Sequence, residues 1–214
     1  LHSKFVFLRP LGLRLGKAIA VACNVLNDAD LVNLVDKAVA EYETVNILVN
    51  NAGGGGGGRE NPFQIDIAYF KRVFNLNLFS AWRLCQLVVP HMAESGYGSI
   101  INITSMGSIN KSPNMSAYAS SKAALNHMAG NLAFDFGPMG VRINNVGPGA
   151  TRTHALSTVL TPEIEAKMLE HTPIKRLGEV SDITGAVLYF AAPVSQWVSG
   201  QTLFVNGGGI QTLD

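Results

Sequence analysis

Tyr118 and Lys122, four residues apart in the run N-M-S-A-Y-A-S-S-K, carry the groups needed to move a proton at an alcohol or carbonyl oxygen. On a helix, positions i and i+4 stack one turn apart on one face. A lysine ammonium so placed favours the phenolate of Tyr118 and readies its hydroxyl as an acid or base. Ser105, thirteen residues before the tyrosine, closes the apolar run 100–104 and brings a hydroxyl that can hold the same oxygen. These groups suffice to interconvert an alcohol and a ketone while a cofactor moves the hydride. A Tyr–Lys pair at this spacing is by itself usually an ordinary surface pair, so the reading depends on what positions it.

Short apolar runs alternate with longer amphipathic ones. Strands are predicted at Ala18–Cys23, Asn46–Val49, Ser99–Ile103, Val141–Val146 and Thr202–Val205. Helices are predicted at Asp28–Tyr42, capped by Asn27 or Asp28, and at Asp66–Met92, disturbed near Pro90. Further helices are predicted at Met115–Phe136, after Thr161-Pro162, and at Ser181–Ala191. This β-α-β-α rhythm predicts an α/β fold: one Rossmann-like domain with a doubly wound parallel sheet. In such sheets ligands bind beyond the carboxyl ends of the strands. Asn50-Asn51-Ala52-Gly53, Thr104-Ser105 and Pro148-Gly149 each follow a strand, so they converge on one crevice that Tyr118 is placed to face.

Composition narrows the class. The 214 residues are 47% hydrophobic and 14% charged, with a formal net charge of +1, and both signs are scattered. No basic face argues for nucleic acid, and no apolar run reaches the ~20 residues of a membrane span. Two distant cysteines, Cys23 and Cys85, fit neither a disulfide scaffold nor a zinc site. No signal-peptide pattern is present, and a reducing cytoplasm is the expectation. His91, His127, His154 and His171 lack an i,i+4 partner of metal-ligand type, so no metal site is expected.

The motifs together resemble the short-chain dehydrogenase/reductase family. They are N-N-A-G at 50–53, Asn77 in N-L-N-L, Ser105, Y-A-S-S-K at 118–122 and N-N-V-G-P-G-A at 144–150. The resemblance runs from about Leu15 to the C-terminus. Four further stretches resemble its bacterial 7α-hydroxysteroid dehydrogenase branch: the glycine run after Asn51, T-S-M-G-S-I-N-K at 104–111, residues 161–178 and W-V-S-G-Q at 197–201. The resemblance implies Tyr118 as general acid/base and Lys122 as the group that favours its phenolate and bonds the nicotinamide ribose. It implies Ser105 to orient the reacting oxygen and Asn77 to hold a proton-relay water. Asn24 and Val25 would lie near the adenine, with Asn24 where the family usually has an Asp. Asn51 and Gly53 would approach the cofactor, and Pro148, Gly149, Thr151, Arg152 and Thr153 would surround its nicotinamide end. Gly55 and Asn110, with Ser105 and Tyr118, are candidate substrate contacts. NAD is preferred, NADP remains open, and the substrate is a small-molecule alcohol or ketone of hydroxysteroid type. Alternatives are a ketoreductase of the same family acting on another substrate, such as a 3-oxoacyl thioester, and a truncated, catalytically silent scaffold subunit.

One feature of the family is missing. Its T-G-x-x-x-G-x-G turn holds the cofactor pyrophosphate on backbone N–H groups. Here Gly12 and Gly16 have the wrong spacing, and the run Gly53–Gly58 leads into Arg-Glu-Asn-Pro rather than a helix. Only 4–8 (K-F-V-F-L) could serve as a further strand before Asn46. An incomplete N-terminal part is therefore expected. Of residues absent from the sequence and a shortened chain with a damaged cofactor site, the first is favoured by the mutual consistency of the downstream residues. A polypeptide of these residues alone is expected to hold NAD in the millimolar range or not at all, because half of the contacts are gone.

Phe74, Phe79, Trp82, Leu84, Leu132, Phe134 and Phe136 exceed what one inward stripe can take. A second apolar face predicts a subunit interface. The resemblance makes this the four-helix contact of a homotetramer, with a second contact near 197–213.

Overall fold

The structure, a computed structural model, describes residues 18–55, 60–157 and 160–209. Its elements in chain order are α1 (Asp28–Tyr42), β1 (Ile47–Asn50), α2 (Ile67–Phe74), a π-helical turn (Asn75–Phe79), α3 (Ser80–Glu94), β2 (Gly98–Ile103), α4 (Ser116–Phe136), β3 (Val141–Pro148), α5 (His154–Ser157), α6 (Pro162–Leu169), α7 (Val180–Ala191) and β4 (Thr202–Val205). The strands form one parallel sheet in the order β1-β2-β3-β4.

Alternation along the strands divides the core. On one face Ile100 and Ile143 pack with Leu31 and Val35 of α1, with Leu84, Val88 and Met92 of α3, and with Ala129 of α4. On the other, Ile101 and Val146 meet Ala186 and Phe190 of α7. Helices thus cover both faces, as parallel sheets require. The first face also carries a buried amide ladder in strand register. Asn50 Nδ2 donates to Asn102 Oδ1 (2.9 Å), Asn102 Nδ2 to Asn145 Oδ1 (3.0 Å), and Asn145 Nδ2 to Thr202 Oγ1 (3.0 Å). One-residue slippage of any strand would break this chain of bonds and bury unpaired amides. The ladder therefore aligns the strand ends that follow it.

Local signals hold at the helix starts. Asn27 caps α1 by accepting from the N–H groups of Ala29 and Asp30, and Thr161 caps α6 ahead of Pro162. Three expectations are corrected. Ala18–Cys23 is not a strand: a strand exists only by pairing, and among the described residues no neighbour pairs with it. Cys23 and Val25 are nevertheless buried in the α1/α3 core. The predicted long helix is interrupted by the π-helical turn at Asn75–Phe79 and not at Pro90, and α3 runs on to Glu94. Pro90 and Gln86 are both exposed, so the Gln86 carbonyl that loses its donor faces water. Leu84 is buried, not part of an outer face. The possible strand at 4–8, Gly12 and Gly16 lie outside the described residues. Among the described residues no helix is long and apolar enough to cross a membrane.

Candidate active site

The carboxyl ends of β1, β2 and β3 open into one cleft of about 390 Å³. Asn51, Gly53, Gly54 and Gly55 line it after β1. Ile103, Thr104 and Ser105 line it at the end of β2, and Pro148, Gly149, Thr151 and Thr153 after β3, while Tyr118 and Lys122 enter from α4.

Lys122 is 4% exposed and donates from Nζ to the Ile103 carbonyl at 2.8 Å. Burial pushes its ammonium down from the ordinary 10.5 to about 8. A group with that value is still roughly nine-tenths charged at pH 7. Its Nζ lies 6.0 Å from the Tyr118 ring centroid. Ser105 Oγ accepts from the Gly107 N–H at 3.0 Å and caps a short turn at Met106–Ser108. A Cβ at Gly107 would stand 3.3 Å from Ser105 Oγ and 3.5 Å from Tyr118 Cε1. The serine hydroxyl and the edge of the tyrosine ring therefore border the same glycine.

Asn77 lies behind the cleft in the π-helical turn, 1% exposed. Its Oδ1 accepts from the Gly54 N–H, and its Nδ2 donates to the Gly54 carbonyl and to Ser121 Oγ, all at 2.9 Å. The widened turn swings an interior polar side chain onto a neighbouring loop, a use such turns often have. A Cβ at Gly53 would sit 2.9 Å from Asn77 Oδ1 and 3.0 Å from Lys122 Nζ, so only glycine leaves space between the two. At Gly149 a Cβ would come within 2.8 Å of Asn206 Cα, so this glycine is a close approach of two backbones rather than loop punctuation.

Several candidates stand elsewhere. Val25 is a core side chain, and Asn24 is exposed, accepting from the Leu26 N–H at 3.1 Å. Arg152 is turned to Glu165 (3.1 Å) and Glu179 (3.4 Å). None of the three lines the cleft. Asn110 lines a neighbouring pocket of about 280 Å³ with Glu60, Lys111 and Asn114. Gly55 does line the cleft, with φ at +101°, which suits glycine alone. Glu60 was not anticipated: it is completely buried beside α4. The α4 amides it meets are 57 and 58 residues away in sequence, so no local pattern announces that contact.

The chain is similar to known proteins. A family profile described as enoyl-(acyl carrier protein) reductase matches residues 6–209. The 7α-hydroxysteroid dehydrogenase of Escherichia coli K12 is 50% identical over 199 residues, spanning 93% of this chain and 77% of that protein. The chain belongs to the short-chain dehydrogenase/reductase family. Among solved family structures, a 7α-hydroxysteroid dehydrogenase complexed with NADH and 7-oxo glycochenodeoxycholic acid superposes with a TM-score of 0.84 at 49% identity, covering 90% of this chain and 74% of that one. The 4-formylbenzenesulfonate dehydrogenase of Comamonas testosteroni, a more distant family relative, is 32% identical over 198 residues, 90% of this chain and 78% of the relative.

Proposed function

We propose that this chain is an oxidoreductase that transfers a hydride between NAD and a secondary alcohol or ketone of the hydroxysteroid class. The observation that carries this reading is the meeting of Ser105, Tyr118 and Lys122 in the one cleft at the carboxyl ends of the strands. The half-identical relative named for 7α-hydroxysteroid oxidation supports the substrate class, and the family structure complexed with NADH supports NAD over NADP.

The donor set fits the nicotinamide end of such a cofactor. Glycines at 53–55 and 149 let a flat group approach the backbone, and Asn51, Thr151 and Thr153 offer polar contacts around a single buried ammonium. Bound nicotinamide would supply the hydride acceptor or donor. The Tyr118 phenolate takes the proton from the alcohol oxygen, and in the reverse direction the Tyr118 phenol gives it to the ketone oxygen. Ser105 Oγ, already accepting from Gly107, keeps its own proton to donate to that oxygen. Lys122 would hold the nicotinamide ribose of the bound cofactor. Asn77 holds a water in the space left by Gly53, linking Lys122 to solvent. Asn24, Val25 and Arg152, outside the cleft, remain candidates for the more distant parts of the cofactor, and Gly55 and Asn110 for the substrate.

A ketoreductase acting on a 3-oxoacyl thioester is the second reading, favoured by the acyl-carrier description of the matching profile. The deciding experiment is nucleotide-linked turnover of a 7α-hydroxysteroid against a 3-oxoacyl thioester, in wild type and Tyr118→Phe. Turnover of the thioester alone selects the second reading. No turnover of either overturns both named substrates.

The working unit is a homotetramer. Phe79, Trp82 and Phe134 are exposed on α4 and the π-turn–α3 segment, and Val194 and Trp197 lie exposed after α7. Trp82 also borders a groove of about 410 Å³ with Cys85, Val89, Leu132 and Phe136. Large apolar side chains clustered in this way favour burial against other copies. Both cysteines are unpaired and buried, which supports a reducing, cytoplasmic setting.

A further inference from the structure

The helix that carries Tyr118 and Lys122 lacks its own cap. The first N–H groups of any α-helix have no partner within it, and an N-cap oxygen normally satisfies one or two of them. At α4 the N-cap is Met115, which makes no side-chain cap bond. The missing acceptor comes from Glu60. One carboxylate oxygen accepts from the Ala117 N–H at 2.7 Å, and both accept from the Tyr118 N–H at 3.2 Å. Tyr69 OH adds a longer bond at 3.4 Å, and the Glu60 N–H donates to the Asn114 carbonyl at 3.0 Å. The carboxylate is 0% exposed and stands at the positive end of a 21-residue helix, where negative charge is favoured.

We propose that Glu60 is a positioning residue for Tyr118, capping the catalytic helix from a distant loop and holding the first turn in which Tyr118 lies. The inference rests on the dehydrogenase reading of the same site. Tyr118 is the third residue of α4, and first turns fray when their N–H groups are unmet. A frayed turn would move the phenol while Lys122, one turn further in and bonded to Ile103, stayed in place. In sequence Glu60 follows the glycine run whose first residues, Gly53–Gly55, line the cleft. Displacements of about 1 Å at a reacting group cost on the order of 100-fold in rate.

The test combines turnover with amide exchange in the full chain. Glu60→Ala is expected to lower kcat for NAD-linked oxidation of a 7α-hydroxysteroid by ~10- to 100-fold, leaving KM for NAD within about twofold. Glu60→Gln keeps one accepting oxygen and should recover most of that loss. Exchange at the Ala117 and Tyr118 amides should accelerate at least ~10-fold in Glu60→Ala, with Ile100–Asn102 in β2 unchanged. Should Glu60→Ala not fold, Glu60→Asp takes its place, withdrawing the carboxylate by one methylene with the same expected loss. A variant with faster exchange but kcat within about twofold of wild type overturns the inference, as does unchanged exchange at both amides. A wild type without turnover overturns instead the function on which the inference rests.

Discussion

Replacing Lys122 by Met should change how stability depends on pH, by an amount the structure sets. Burial holds the Lys122 ammonium near 8 in the folded chain, against 10.5 when it is in water. At about 1.4 kcal/mol per pH interval, folding with this group charged costs about 3 kcal/mol. The group is 4% exposed, so solvent screening does not shrink the figure much. Below pH 8 both states hold the proton and the whole cost is present. Between about 8 and 10.5 the folded chain releases the proton while the unfolded chain keeps it, so stability rises with pH. The change accumulated from pH 7 to pH 10 is about 2.5 kcal/mol. Lys122→Met has no such proton. Its lost bond to the Ile103 carbonyl is a constant offset that cancels when the two pH values are compared. Urea unfolding of wild type and Lys122→Met at pH 7 and pH 10 reads the effect directly, because other titrating groups are common to both. Wild type should gain about 2.5 kcal/mol on the variant across that range. A gap constant to within about 0.5 kcal/mol would refute the claim that this lysine is charged at the expense of the fold.

Tyr118→Phe keeps the ring and removes the hydroxyl; turnover should fall by at least ~100-fold with little change in unfolding midpoint, and near wild-type dehydrogenase activity would remove the core of the mechanism. Gly149→Ala should destabilise the chain by ~1–3 kcal/mol in urea, since its methyl meets the Asn206 backbone, whereas Gly130→Ala, in open space within α4, should be neutral or stabilising by under about 1 kcal/mol; equal effects would contradict the close approach at Gly149. Sedimentation at micromolar concentration should report a tetramer that Phe134→Glu shifts toward smaller species, and a wild-type monomer would leave the exposed Phe79, Trp82 and Phe134 without the proposed partner.

Much of the helical and strand pattern follows from local chemistry that the chain carries in order. Asn27 before Asp28 and Thr161 before Pro162 start helices because each cap side chain accepts from first-turn N–H groups, and Pro162 has no N–H that needs a partner. Ile100 and Ile101 in β2, and Ile143 and Val146 in β3, point to opposite faces of the sheet, and both strands are central because both of their faces are covered. With the β-α order known, strand ends that carry Asn51, Ser105 and Gly149 must fall on one side of the sheet, so the cleft was legible before any coordinates. Pairing is another matter. Ala18–Cys23 has the composition of a strand, yet strand formation depends on a neighbour and not on composition, and its buried cysteine packs against helices.

From the sequence alone came the candidate reacting groups and their relative order: Ser105, Tyr118 and Lys122 are singled out by residue type and by spacings of one helical turn and one strand-to-helix connection. Only the tertiary structure decided what surrounds them. Lys122 is forced down to about 8 because the sheet and helix exclude water from its ammonium. Asn77 meets Gly54 across 23 residues through a π-helical turn, and Glu60 caps a helix 57 residues on. Bonds of that kind depend on distances between elements, which no periodicity encodes, because they exist only after the chain has folded back and removed the competing water.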